Sequence, residues 1–267
     1  MVVTLVLVVC LLWWFMRKKE TFKGGDKIIW SYWNENQLPQ FIQKCVDTWH
    51  KENPGYTVNI VTNENLEKFV GQEEAEAIKN WKFNDSPQRM SDLVRLSILP
   101  VHGGVWLDAS IICYESLDWT RTEDPGKPKV YSIPELSTPE DPLIESWFIS
   151  CHPGDPFVTE WNKEFRRVAD FDTIEDYVKD VDVSMKGIDF PNYLLVYVCA
   201  KKVYKDLGPD SVKILNASEG PYNYHLHGGV SSMCEKKPTR LIKLRKEDRA
   251  GLDEKLEACA FVRSQSS

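Results

Sequence analysis

Asp92 and Arg95 stand three residues apart, so any helix that carries them stacks them on one face, nearly over one another. Such a pair can hold hydroxyl groups or offset anionic charge. It can equally be a surface ion pair worth only about 0.2–0.5 kcal/mol. Further on, the apolar run Val105-Trp106-Leu107 stops at Asp108-Ala109-Ser110. Open α/β folds bind ligands at the ends of buried strands, and a carboxylate there suits a divalent cation that carries a diphosphate. A strand-end Asp is also common in solvated turns, so Asp108 alone does not separate the two readings. Near the C-terminus, His225 and His227 are spaced so that a loop could bring both to a metal, whereas a strand would turn them to opposite faces.

The elements around these groups must position them. Ser86 and Pro87 suit an N-cap and a first helical residue. Met90, Leu93, Val94 and Ser97, with Leu96 and Leu99 beside them, recur at helical spacing. The pattern predicts an amphipathic helix closed by Pro100, a tight turn at Gly103-Gly104, and then a buried strand. Upstream, Lys27–Trp33 reads as a first core strand, Pro39–Lys51 as a helix and Tyr56–Val61 as a second strand. That β-α-β order leaves room for a parallel crossover. Another helix is expected over 72–81, a loop over 117–129, a strand at Val130–Ile133 and a surface loop over 137–143. Trp147–Ser150 reads as a strand and Pro156–Val168 as a helix, while 170–189 shows no clear pattern. Pro191–Leu207 reads as a helix whose stripe of Tyr193, Tyr197, Ala200, Tyr204 and Leu207 suits a core better than a ligand surface.

The run SDLVRL…HGGVWLDASI resembles the central motif of the capsular polysaccharide synthesis proteins and the related DXD-containing sugar transferases, which include yeast-type α-mannosyltransferases. The likeness extends to KIIWSYWNENQLPQFIQKCVDTWHKENPGY, and more weakly to IESWFISCHPGDPF and LIKLRKED. It implies a GT-A-like nucleotide-sugar-binding fold, an α/β architecture with a mixed, mostly parallel central sheet flanked by helices. It also implies a metal-dependent glycosyltransferase that moves a sugar from a UDP- or GDP-sugar to a glycan, glycolipid or glycoprotein acceptor, with retention. Under this resemblance Asp92, Arg95 and Asp108 carry the chemistry. Asp108 would hold Mn²⁺ or Mg²⁺ against the donor diphosphate, with Ser110, His225 and His227 as further metal ligands. Asp92 would hold sugar hydroxyls, and Arg95 would offset phosphate charge or orient Asp92. The donor side would also include Trp30, Ser31, Tyr32, Asn63, Ser91 and Gly104, and the acceptor side Glu145 and Trp147. One departure stands out: Ser110 fills the third position of the DXD, as in the capsular branch, and removes one metal carboxylate.

The totals set limits. With 42% apolar and 27% charged residues among 267, the chain can bury a large core. A net charge of −7 argues against nucleic acid as the partner. The seven cysteines show no CxxC spacing and read as buried free thiols. Residues 2–16 are uncharged and precede Arg17-Lys18-Lys19. A helix of that length covers ~22 Å against a ~30 Å hydrocarbon core, so snorkelling basic side chains or a thin membrane must close the gap. Without a basic n-region or a small-x-small site, an uncleaved anchor is favoured over a signal peptide. The basic flank then puts the remainder on the cytosolic side, although Asn216-Ala217-Ser218 is a glycosylation sequon. The expected organisation is an anchor over 1–20, a linker over 21–26, a catalytic domain over 27–250 and a polar tail over 251–267. Two rival readings remain at this level. One is an inactive sugar-nucleotide-binding scaffold at a membrane, motivated by Ser110. The other is a metal-dependent hydrolase built on Asp108, His225 and His227.

Overall fold

The computed structural model describes residues 27–226, 239–245 and 248. The expected anchor, linker and tail lie outside the described residues, as does His227. Among the described residues, no helix is long and apolar enough to cross a membrane. The elements run in this order: β1 (Ile28–Tyr32), α1 (Gln40–Glu52), β2 (Thr57–Val61), α2 (Leu66–Val70), α3 (Gln72–Lys79), α4 (Pro87–His102), β3 (Gly104–Leu107) and β4 (Ile111–Cys113). There follow α5 (Trp119–Thr122), β5 (Lys129–Ser132), β6 (Ile144–Cys151), α6 (Pro156–Arg167), α7 (Ile174–Asp180), α8 (Leu195–Leu207), β7 (Lys213–Asn216), α9 (Asn223–Leu226) and β8 (Leu241–Lys243).

The main sheet has the order β2-β1-β3-β6-β5-β7. β1 pairs parallel with β2 and β3, and β5 pairs parallel with β7. β6 runs antiparallel between β3 and β5. The sheet is therefore mixed and mostly parallel, as the β-α-β opening implies. Both faces are buried along the inner strands β1, β3, β6 and β5. Strand alternation divides them: Trp30 and Trp106 join one core with Leu93, Trp161 and Val198, while Ile29, Val105 and Leu107 join the other with Trp49 and Phe148. The four cysteines among the described residues are buried.

α4 starts as its sequence suggests, with the Ser86 hydroxyl accepting from the Arg89 N–H at 3.3 Å. Two expectations need correction. Pro100 does not close the helix, which runs on to His102. A proline removes one intrahelical donor, but the neighbouring bonds hold the last turn: the Gly103 N–H reaches Leu99 O at 2.8 Å, and the Gly154 N–H reaches Pro100 O at 2.7 Å. Nor does α4 present a wet face, because every residue from Asp92 to Leu99 is buried. Asp92 and Arg95 are thus interior groups that require partners.

The turn after α4 depends on glycine. Gly104 has φ +97°, and a Cβ there would lie 2.7 Å from the Ile28 carbonyl. This close approach lets the chain drop straight from the helix into the sheet beside β1. β3 then ends at Asp108, whose N–H donates to the Trp147 carbonyl at 2.9 Å. The apolar run that resumes as β4 leaves the main sheet and pairs antiparallel with β8, with Ile111 opposite Lys243. α1 secures β4: the Trp49 indole donates to Ile111 O at 2.7 Å, and the Thr48 hydroxyl accepts from the Cys113 N–H at 3.0 Å. β6 is longer than expected and begins at Ile144. The patternless stretch after residue 170 contains α7, which buries Ile174 and Tyr177.

Candidate active site

The five strands that share one direction end on one edge of the sheet, and β6 begins there. A cavity of about 440 Å³ opens at that edge. Tyr32 enters it from β1, Asp92 and Arg95 from α4, and Asp108 and Ser110 from the turn after β3. Ser146 and Trp147 come from β6, Tyr193 from the segment before α8, Tyr197 from the first turn of α8, Tyr222 from the segment before α9, and Lys243 from β8.

Arg95 ties this cavity together. Its Nη1 donates to Asp92 Oδ1 at 2.8 Å and to the Ser146 hydroxyl. Its Nη2 donates to Asp108 Oδ1 at 2.9 Å and to the Ser91 hydroxyl at 3.0 Å. Four of its five N–H groups are thus engaged, and the guanidinium lies over the Trp106 ring at 5.1 Å. The Trp106 indole also donates to Asp108 Oδ1 at 3.2 Å. The other Asp108 oxygen accepts from Lys243 Nζ at 2.8 Å, and that ammonium stands 3.2 Å from the Ser110 hydroxyl. Ser110 in turn donates to the Leu244 carbonyl at 3.2 Å.

The two carboxyl groups titrate in opposite directions. Burial pushes Asp92 up from the ordinary 3.8 to about 6, against the pull of Arg95. Burial also acts to raise Asp108, but Lys243 and Arg95 outweigh it and hold the carboxyl well below the usual carboxylate range. Beneath the cavity, burial raises Glu145, which accepts a hydrogen bond from the Tyr197 hydroxyl.

The candidate residues of the sequence divide into three groups. Tyr32, Ser91, Asp92, Arg95, Asp108, Ser110 and Trp147 meet around the cavity. Asn63 and Glu145 lie one contact away, Asn63 accepting from the Tyr32 hydroxyl at 2.8 Å and Glu145 bonded to Tyr197. Trp30, Ser31, Gly104 and His225 do not line it. The Trp30 indole is in the core, donating to Gly103 O at 2.9 Å and packed on Phe69 and His102. Ser31 is fully buried. Gly104 shapes the backbone beside Ile28, and His225 packs on Tyr224 beside Asp248.

Sequence reasoning assigned no role to Lys243, Ser146, Tyr197 or Tyr222. The stripe of α8 is not wholly core: Tyr193 is exposed, Tyr197 lines the cavity and Leu207 is exposed. Lys243 was visible only as one cation in LIKLRKED, and nothing local links it to Asp108.

The arrangement also bears on a divalent cation. Hard dications take six or more oxygen ligands. Among the described residues, no three His, Cys, Asp or Glu side chains gather at one point. Asp108 and Ser110 do come together, but Lys243 Nζ stands between them and bonds both. Both Asp108 oxygens already accept N–H donors. In this arrangement the described residues do not fit a dication.

Residues 14–178, more than half of the chain, match the capsular polysaccharide synthesis protein family. The chain belongs to this family. The match takes in β1, α4, β3, Asp108 and the start of β6, so most of the cavity is built from family sequence. Lys243 and Tyr222 lie beyond it. Among curated relatives of this family member, the O-glycosyltransferase braB of Annulohypoxylon truncatum is 27% identical over 163 residues, 55% of this chain and 38% of its own length. The glycosyltransferase afumC of Aspergillus fumigatus is 27% identical over 172 residues, 57% of this chain and 43% of its own length. The aligned region thus spans less than half of either relative. Among solved structures, the galactosyltransferase LgtC with donor and acceptor sugar analogues is 12% identical. Its alignment covers 87% of this chain and 95% of LgtC at a TM-score of 0.47, too loose to carry a conclusion.

Proposed function

We propose that this capsular polysaccharide synthesis protein is a glycosyltransferase with a GT-A-like donor site. It moves a sugar from a UDP- or GDP-sugar to a hydroxyl of a glycan, glycolipid or glycoprotein, with retention at the anomeric carbon. One observation carries the reading: the cavity at the shared strand edge is floored by a carboxylate, Asp108, pinned between two cations. The names of braB and afumC support the class of activity.

The chain's own residues divide the work. Asp92 binds Arg95 through Oδ1, and its remaining oxygen is offered to a sugar hydroxyl. Arg95 spends its N–H groups on protein, so it orients Asp92 and Asp108. Lys243 uses two of three N–H groups on Asp108 and Ser110 among the described residues, and the third serves a phosphate oxygen. The aromatic faces of Tyr32, Trp147 and Tyr222 offer stacking surfaces for a base or a sugar ring. Glu145 with Tyr197 supports the acceptor side. With residues 1–20 as a membrane anchor and the catalytic part on the cytosolic side, lipid-linked acceptors come within reach. A divalent cation, where bound, would add positive charge at the diphosphate; here Asp108 and Ser110 hold the Lys243 ammonium between them.

The test is a panel of UDP- and GDP-sugars, with and without sugar acceptors, incubated with the full-length chain and read by release of UDP or GDP. The reading expects turnover of one donor that is lost in Asp108→Ala. No release from any donor would overturn it.

A further inference from the structure

We propose that the Lys243 ammonium is a built-in replacement for the divalent cation, so that this chain binds its donor diphosphate without metal. The inference rests on the donor-site reading above. Three observations carry it. The first is position: Nζ lies 2.8 Å from Asp108 Oδ2 and 3.2 Å from Ser110 Oγ, bridging the two groups of the Asp-x-Ser motif as a metal would.

The second is charge. A motif with two carboxylates matches a dication, whereas Asp108 with a neutral Ser110 offers one negative charge, which Arg95 and Lys243 already share. Ser110 on this view is not a defective metal ligand. Its hydroxyl accepts from Lys243 and donates to the Leu244 carbonyl, so it orients the ammonium from the residue next along the chain.

The third is support. Lys243 sits on β8, in register opposite Ile111 on β4, and its backbone N–H donates to Pro221 O at 3.2 Å. β4 is held in turn by Trp49 and Thr48. The side chain is only 13% exposed. A lysine fixed in this way is part of the cavity itself, with no ion to capture or lose. Arg95 cannot replace it, because four of its five N–H groups are committed.

In the transfer, the bond between the sugar anomeric carbon and the diphosphate oxygen breaks, and its electron pair stays on that oxygen. The acceptor hydroxyl oxygen bonds the anomeric carbon, and its proton ends on the released diphosphate. Lys243 donates a hydrogen bond to the diphosphate as that negative charge develops, a duty suited to a fixed ammonium.

The experiment is equilibrium binding of UDP and GDP to the full-length chain in Mn²⁺ and in EDTA, for the wild type, Lys243→Ala and Lys243→Arg. The inference expects wild-type affinity to be the same in both media within about twofold, well inside the tenfold that 1.4 kcal/mol represents. It expects Lys243→Ala to bind at least about tenfold more weakly in EDTA, with Lys243→Arg recovering part of the loss. Wild-type binding that vanishes in EDTA would overturn the inference while leaving the donor-site reading intact. So would wild-type affinity in a folded Lys243→Ala. The comparison of media needs no variant, so it stands even if Lys243→Ala fails to fold. Absence of binding by the wild type in both media would overturn the donor-site reading and this inference with it.

Discussion

Asp92 and Asp108 share one guanidinium, yet their surroundings drive their carboxyl groups apart. On the helix side, Asp92 is buried among apolar residues of α4 and pairs, among the described residues, with Arg95 at 2.8 Å. Its proton is held up to about pH 6. On the strand side, Asp108 faces the cavity and meets Arg95, Lys243 and the Trp106 indole together. Burial there is overcome, and Asp108 stays ionised. Arg95 and Arg89 together do not offset the desolvation of Asp92, whereas Lys243 and Arg95, with hydrogen bonds from Lys243 and Trp106, do offset that of Asp108. The helix side is therefore a carboxyl that holds its proton up to about pH 6, while the strand side is an ionised carboxylate held between Arg95 and Lys243.

The comparison can be broken at its shared point. Arg95→Lys keeps a charge but loses the planar fork that reaches Asp92, Asp108, Ser91 and Ser146. It should cost about 3–5 kcal/mol, the usual effect of breaking a buried ion pair, measured by urea unfolding. A loss under about 1 kcal/mol would mean that the two carboxylates hold their places independently. Asp108→Ala acts on the strand side alone. It should lower nucleoside diphosphate release by about 100-fold or more, the scale of losing one preorganised electrostatic group. It should leave the α4 side of the cavity in place.

How much of this difference could be read from the sequence depends on distance along the chain. The α4–turn–β3 segment was legible because its signals are local: a cap at Ser86, glycines at Gly103-Gly104, and an apolar strand ending at Asp108. So was the Asp92–Arg95 pair, which helical geometry alone brings together. The depth of its burial was not legible, since an amphipathic pattern predicts a wet face and only the packing of α2, α3 and α6 and of the sheet against α4 removes it. The strand-side partner was illegible for a different reason. Lys243 reaches Asp108 through the pairing of β4 with β8, two three-residue strands far apart in the chain with no local signal that they pair. Pro100 misled because its local cost is real, while the compensating bonds from Gly103 and Gly154 are tertiary. The stripe of α8 misled because tyrosine serves a core and a cavity wall alike: Tyr204 is buried in the core while Tyr197 on the same stripe lines the cavity.

Two smaller effects sharpen the contrast. The native state holds the Asp92 proton more tightly than the unfolded chain does. Wild-type stability should therefore fall as pH rises from about 4 to about 6 and then level off. Asp92→Asn should abolish that fall, read from urea midpoints across the range. Asp108 contributes with the opposite sign, its stabilisation present above the ordinary carboxylate range and lost as pH drops below it. An unchanged slope in Asp92→Asn would place the titration elsewhere. Ser146→Ala removes one hydrogen bond from Arg95 and should cost about 1–2 kcal/mol, with both carboxylates retained.

The most direct test of the donor-site reading is hydrogen exchange of the full-length chain with and without UDP, GDP and their sugars. Binding at this cavity predicts slower exchange in the peptides that carry Tyr32, Ser91 to Arg95, Asp108 to Cys113, and Leu241 to Leu244. Protection centred on any other surface, with these segments unchanged on binding, would contradict the account.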